Sequence, residues 1–97
     1  MDIAALLSVF FKKASTDARI SIAHIGLYTS LIQMQLEQGL ETPLLAYGKD
    51  IMHFARISSS ATYHKLIKDL DEHGYVHYEP SYYKGIKSRI FLEGNIT

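Results

Sequence analysis

Cationic and hydroxyl side chains gather in two short stretches in the second half of the chain. From Arg56 to Lys68 every charged residue is positive, and the same is true from Ser81 to Leu92. Such side chains donate hydrogen bonds to phosphate oxygens, and some of them reach base edges. The two stretches therefore predict a surface that contacts nucleic acid. The candidate contact residues are Ser58, Ser59, Ser60, Thr62, His64, Lys65, Lys68, Tyr83, Lys84, Lys87 and Arg89.

Each stretch also has a purely structural interpretation. The serines can cap the start of a helix, and the lysines can keep its outer face solvated. A charged hairpin can protect an edge strand from pairing with other chains. Tyr82 and Tyr83 allow two roles, because their phenol groups can contact phosphate or their rings can pack beneath the hairpin. The residue types alone leave these alternatives open.

Helical periodicity places the first stretch on a helix. An apolar stripe predicts a helix over about 59–73, with the hydroxyl and lysine groups on its remaining faces. The stripe consists of Tyr63, Leu66, Ile67 and Leu70. Gly74 follows at the position where a glycine commonly ends a helix. A shorter helix is expected over 48–55 and a tight turn over 56–58, which gives helix-turn-helix order.

Alternating residues place the second stretch in a hairpin. Residues 75–79 and 88–92 predict two antiparallel strands, joined through a loop that contains Gly85. Residues 44–45 are expected to pair as a short strand. Residues 19–22 also alternate, which predicts another short strand there.

Two further helices are expected before these elements. Residues 2–14 and 23–38 show helical spacing of apolar side chains, and Gly39 follows the second as a cap. The first helix is highly apolar for a terminal element. It therefore either packs across the domain or contributes to a homodimer interface. The residues expected in such an interface are Ile3, Leu7 and Phe10.

Length and charge restrict the class of protein. The 97 residues are enough for one domain, 1–97, with a single core. Ten Lys and Arg residues balance ten Asp and Glu residues, whereas nucleic-acid-binding domains usually carry a basic excess. Segregation of the charges can still produce a positive face on a neutral protein.

No motif in the sequence indicates catalysis or a bound cofactor. We find no phosphate-binding loop, glycine-flanked nucleophile or cysteine, so we expect a protein that is not an enzyme and has no cofactor. The spacing of the five histidines matches no familiar metal site, and we expect no metal. No segment approaches the ~20 apolar residues of a membrane helix. The apolar run over 3–11 follows Asp2 rather than a basic start, so we expect no signal peptide and a cytoplasmic location.

Four short strings resemble a known family of domains. They are ISS at 57–59, ATY at 61–63, GYV at 74–76 and YEPS at 78–81. Together they resemble the winged helix-turn-helix domains of bacterial regulators, over about residues 19–92. The chain looks most like small bacterial winged-helix proteins that are associated with mobile genetic elements.

The resemblance implies both a fold and a function. The fold would be α+β and mainly helical, with a winged helix-turn-helix core over 19–92, an extra amphipathic helix over 1–15 and a two-stranded C-terminal wing. The function would be sequence-specific binding of duplex DNA by a small bacterial transcriptional regulator. Helix 59–73 would enter the major groove, and the wing over 81–89 would contact the backbone. Many such regulators act as dimers on two-fold sites.

Two alternative functions remain compatible with the sequence. The same fold can serve as a protein-interaction module, which the neutral charge and the apolar first helix favour. A replication or recombination accessory protein of a mobile element would contact DNA in the same way as a regulator.

Overall fold

Four helices and a three-stranded antiparallel sheet make up the described part of the chain. The computed structural model describes residues 2–39, 41–83 and 85–93. The elements are α1 (Ile3–Ala14), α2 (Ile22–Gln38), β1 (Leu44–Ala46), α3 (Gly48–Ala55), α4 (Ser60–Glu72), β2 (His77–Glu79) and β3 (Ser88–Phe91). The α+β, mainly helical class predicted from the sequence is confirmed. None of these helices is long and apolar enough to cross a membrane.

The core lies where the helices meet the sheet. Leu31 of α2, Ile51 of α3, Ile67 of α4 and Ile90 of β3 have no exposed surface. Removing such side chains from water is the main source of stability for a domain of this size. The apolar stripe predicted on α4 is confirmed, because Tyr63, Leu66, Ile67 and Leu70 are all buried.

The apolar face of α1 packs inside the chain. Phe10 is 3% exposed, and its ring stacks on Tyr28 with the centroids 3.9 Å apart. Ile3 and Leu7 are partly buried against the same core. The predicted homodimer interface is therefore wrong for Phe10, because the rest of the chain already covers this side chain. Only the parts of Ile3 and Leu7 that remain exposed are available to a partner.

Residues 19–22 form a turn and the start of α2, so the strand predicted there is wrong. The Asp17 carboxylate accepts the backbone N–H and the Nε–H of Arg19, at 3.0 and 2.8 Å. Ser21 then caps α2, and its backbone N–H donates to Nδ1 of His24 at 3.0 Å. These local hydrogen bonds satisfy backbone groups that a strand would have to pair with a neighbour.

Strand β3 lies at the centre of the sheet and pairs in antiparallel fashion with β1 and β2. The strand predicted at residues 44–45 is therefore confirmed as β1. Gly74 ends α4 as predicted, with the left-handed φ of 81° that glycine tolerates best. The N–H groups of Tyr75 and Val76 donate to the Leu70 carbonyl, at 2.8 and 3.3 Å. Those two residues are thereby kept out of the ladder, and β2 begins only at His77.

Candidate nucleic-acid interface

The outer face of α4 presents most of the predicted contact residues to solvent. Burial of the apolar stripe turns the opposite side of the helix outward. The exposed residues there are Ser60, Thr62, His64, Lys65 and Lys68. Ser59 is the N-cap of α4, and its hydroxyl accepts the Thr62 N–H at 3.3 Å. The capping role considered for the serines is therefore confirmed for Ser59.

His64 is held by the first turn of its own helix. Its Nδ1 lies 2.8 Å from the Ser60 carbonyl oxygen, which can only accept a hydrogen bond. The neutral ring therefore carries its proton on Nδ1 and keeps Nε2 as an acceptor. A protonated ring would donate from Nε2, as a contact to a phosphate oxygen requires.

A groove of about 370 Å³ separates α4 from the hairpin. His64, Lys68 and the acidic Asp71 line its helix side, and Tyr78, Pro80, Ser81 and Tyr82 line its hairpin side. The fold thus brings part of the predicted helix set next to the start of the predicted wing. The hydroxyl, imidazole and ammonium groups on its walls can contact a phosphate backbone, whereas the Asp71 carboxylate opposes that contact.

A second groove of about 410 Å³ lies at the other flank of α4, beside the start of α2. Ser58, Ser59 and Thr62 line it, so the predicted helix residues divide between two grooves. Arg56 also lines this groove and has a left-handed backbone, with φ 62° and ψ 39°. This conformation is unfavourable for a residue that has a Cβ, and it ends α3 in the turn before α4.

Acidic residues of α4 pair with its lysines. Lys65 Nζ lies 3.0 Å from the Asp69 carboxylate, and Lys68 Nζ lies 4.0 Å from that of Glu72. Both lysine side chains remain more than 70% exposed, so each can still reach a phosphate. The acid-free stretch in the sequence therefore does not correspond to an acid-free helix face, because acids four residues later lie on the same side.

The two described cations of the hairpin, Lys87 and Arg89, do not line the groove beside α4. Arg89 lies 3.4 Å from the Glu79 carboxylate across the β2–β3 ladder. Lys87 lies over the ring of Tyr47, with its Nζ 5.6 Å from the ring centroid. Because β3 is the central strand, these cations do not protect an edge strand. Lys84 lies outside the described residues.

The two tyrosines of the hairpin loop have exposed rings. Tyr82 is 88% exposed and Tyr83 is 75% exposed, so neither ring packs beneath the hairpin. Of the two roles that the sequence allowed, packing is therefore wrong. The rings and their hydroxyl groups are therefore accessible to a partner.

Three exposed or half-buried residues are not among the predicted contact residues, although one of them, Arg56, begins the first positive stretch. Tyr47 donates its hydroxyl hydrogen to the Gly85 carbonyl at 3.1 Å, and Lys49 lies over the same ring, 5.8 Å from its centroid. Arg56 occupies the turn between α3 and α4. Only the pairing of β1 with β3 brings Tyr47 to the hairpin, and no local pattern in the sequence contains that contact.

A buried histidine fixes α4 against α2. His24 Nε2 lies 2.8 Å from Asp69 Oδ2, and the His24 side chain is 5% exposed. Because Nδ1 accepts the Ser21 N–H, the neutral ring carries its proton on Nε2 and donates it to Asp69. This hydrogen bond, followed by that from Lys65, lowers the pKa of the Asp69 carboxyl below its usual value. The carboxylate therefore stays ionised and orients the lysine face of α4.

Comparison with protein-family models, with curated proteins and with solved structures found no match to this chain. Within the described residues, no three His, Asp or Glu side chains lie close enough together to hold a metal ion.

Proposed function

We propose that this protein binds duplex DNA through α4 and the following hairpin, as a small bacterial transcriptional regulator without catalytic activity. The observation that carries the proposal is the groove in which His64 and Lys68, next to Asp71, face Ser81 and Tyr82. In this proposal α4 enters the major groove and the hairpin lies along the adjacent backbone.

The order and pairing of the elements support a winged helix-turn-helix as the form of this domain. A short α3, a tight turn and a longer α4 follow one another, and a hairpin comes directly after them. The hairpin pairs back to β1 through β3, which attaches the proposed wing to the body of the domain. This arrangement fits the resemblance seen in the strings from 57 to 81.

Protein interaction is the second candidate function. The ion pairs Lys65–Asp69 and Arg89–Glu79 reduce the local positive charge, which favours a polar protein partner over DNA. A replication or recombination accessory role would use the same DNA contacts as a regulator and is included in the DNA proposal.

Fluorescence anisotropy on a mixed-sequence duplex, measured over a salt series, tests the proposal. The variants are Lys65→Ala/Lys68→Ala and Lys84→Ala/Lys87→Ala/Arg89→Ala, with Lys12→Ala as a control for loss of an exposed charge on α1. We expect wild-type affinity to fall with salt, with a slope of about −0.9 for each phosphate contact. Either multiple variant should show a smaller slope, and Lys12→Ala should match wild type.

Two results would count against DNA binding. One is the absence of wild-type binding at low salt. The other is that the salt slope decreases by the same amount per charge removed in Lys12→Ala and in the multiple variants. DNA would then be attracted non-specifically to any lysine of the protein. In either case the protein-interaction candidate gains support.

A further inference from the structure

The tip of the hairpin exposes three large apolar side chains within five residues. Tyr82, Tyr83 and Ile86 are 88%, 75% and 58% exposed. Single exposed apolar residues are common on proteins, whereas clusters of them usually mark a binding surface. Of these three side chains, Tyr82 lines the groove of the proposed function, whereas Tyr83 and Ile86 do not.

Hydrogen bonds restrain the described backbone groups of this tip. The Ile86 N–H donates to the Tyr83 carbonyl at 3.2 Å, which closes a turn. The Ser81 hydroxyl lies 3.3 Å from both the N–H and the carbonyl of Tyr83, and the Tyr47 hydroxyl donates to the Gly85 carbonyl. These hydrogen bonds restrain described residues on both sides of Lys84, which lowers the entropy cost of placing the exposed rings in a partner.

The charges around the tip indicate the chemistry of that partner. No acidic residue occurs between Glu79 and Glu93, and Lys87 has no acidic partner among the residues that the structure describes. Exposed rings in a stretch whose charged residues are all cations complement a ligand that combines flat apolar faces with negative charge. Stacked bases between phosphates have this combination.

We propose that the hairpin tip is a wedge that stacks the Tyr82 ring on a base of duplex DNA and partly unstacks one base step. The inference rests on the proposed function, since α4 and the hairpin must first contact DNA. Tyr82 is assigned the stacking role because it also lines the groove beside α4, whereas Tyr83 does not. Flexible pyrimidine–purine steps, such as TA, are the steps that open most easily and are the expected position of the wedge.

A single tryptophan placed at the tip tests this inference directly. The chain has no tryptophan, so Tyr82→Trp introduces the only indole in the protein. Stacking on a base quenches indole emission, whereas contact with phosphate alone does not. We expect quenching on a duplex with a central TA step and less quenching on an A-tract duplex of equal length. Val9→Trp, on the exposed side of α1, is the matched control and should keep its emission.

Two affinity variants separate the ring from its hydroxyl. Tyr82→Phe keeps the ring, and its affinity for the TA duplex should stay within about twofold of wild type, whereas Tyr82→Ala should bind about tenfold more weakly. Because the side chain is 88% exposed, both variants are expected to keep the fold, which circular dichroism can verify.

The outcomes distinguish this inference from the DNA proposal. Salt-dependent binding without quenching at position 82 would overturn the wedge and leave the DNA proposal intact. Equal losses in Tyr82→Phe and Tyr82→Ala would also overturn it, because the hydroxyl would then be the contact. Absence of any wild-type binding would overturn both.

Discussion

One oxygen of Asp69 accepts hydrogen bonds from two partners in opposite environments. His24 Nε2 and Lys65 Nζ lie 2.8 and 3.0 Å from Oδ2. The His24 side chain is 5% exposed, whereas that of Lys65 is 72% exposed. Water screens the lysine pair and does not reach most of the histidine, so the histidine bond should contribute much more to stability.

Double-mutant cycles can separate these two contributions. With His24→Ala, Lys65→Ala and Asp69→Ala, we expect a coupling free energy of about 1 to 2 kcal/mol for the His24–Asp69 pair. The Lys65–Asp69 pair should couple by less than about 0.5 kcal/mol. Urea unfolding measures both, and each pair serves as the control for the other. A coupling for the lysine pair as large as that for the histidine pair would contradict the burial argument.

A second aspartate links acid pH to the stability of the α1–α2 turn. The hydrogen bond from Arg19, assisted by that from the Tyr75 hydroxyl, lowers the pKa of the Asp17 carboxyl from its ordinary value of 3.8. The ionised form is thus favoured in the folded state, and its contribution is fully present above the ordinary pKa. The contribution is lost as the pH falls below 3.8 towards the lowered pKa.

We therefore expect the wild-type free energy of unfolding to decline below about pH 4. In Asp17→Asn the decline should be shallower, because one of the carboxylates responsible is absent. Urea unfolding between pH 2 and pH 5, in steps of about half a pH unit, would measure this decline. Arg19→Gln removes the largest cause of the shift and should flatten the decline in the same way. Parallel declines in all three proteins would mean that Asp17 does not contribute.

At the scale of elements, α1 contains a matched pair of neighbouring phenylalanines. Phe10 is 3% exposed and stacks on Tyr28, whereas Phe11 is 45% exposed. We expect Phe10→Ala to lower the free energy of unfolding by about 3 to 5 kcal/mol, the usual loss for a buried ring. Phe11→Ala should lower it by less than about 1 kcal/mol. Similar losses in the two variants would mean that α1 does not pack on α2 through this face.

Elements with strong local signals were predictable from the sequence. The apolar stripe of α4 and the glycine after it determine that helix. Both signals are local, because the stripe defines the buried face of the helix and Gly74 supplies the left-handed residue that ends it. The strand expected at residues 19–22 was wrong because Asp17 and Ser21 satisfy the local backbone more directly than a distant strand could. Four alternating residues contain too little periodicity to decide between the two.

The candidate interface was less predictable than the fold, since it depends on contacts between elements. The sequence located the exposed residues of α4, but not the pairing of Lys65 with Asp69. It also did not show that Glu79 pairs with Arg89 of β3. It also missed the cluster of Tyr47 with Lys49 and Lys87, which exists only because β1 pairs with β3. Side-chain pairing across a sheet has no local signature in the chain.

At the scale of the whole molecule, electrical neutrality makes the positions of the acids decisive. Ten positive and ten negative residues cancel, so any attraction to DNA depends on acids lying away from the contact surface. Glu79 is the last residue of β2, and its carboxylate lies 3.4 Å from Arg89 and 3.1 Å from His77. If the hairpin contacts the DNA backbone, this carboxylate opposes binding.

Replacing Glu79 by glutamine should therefore strengthen DNA binding. An exposed ion pair of this kind is worth about 0.2 to 1 kcal/mol. If this free energy becomes available for binding, the affinity for DNA should increase by up to about fivefold, and its salt dependence should become steeper. Glu41→Gln makes the same charge change in the exposed segment before β1, at the end of the sheet opposite the tip. The affinity of Glu41→Gln for DNA should increase little. The increase in affinity of Glu79→Gln should disappear when Arg89→Ala is added. Equal gains in both single variants would mean that DNA senses only the net charge, which would remove Arg89 from the contact surface.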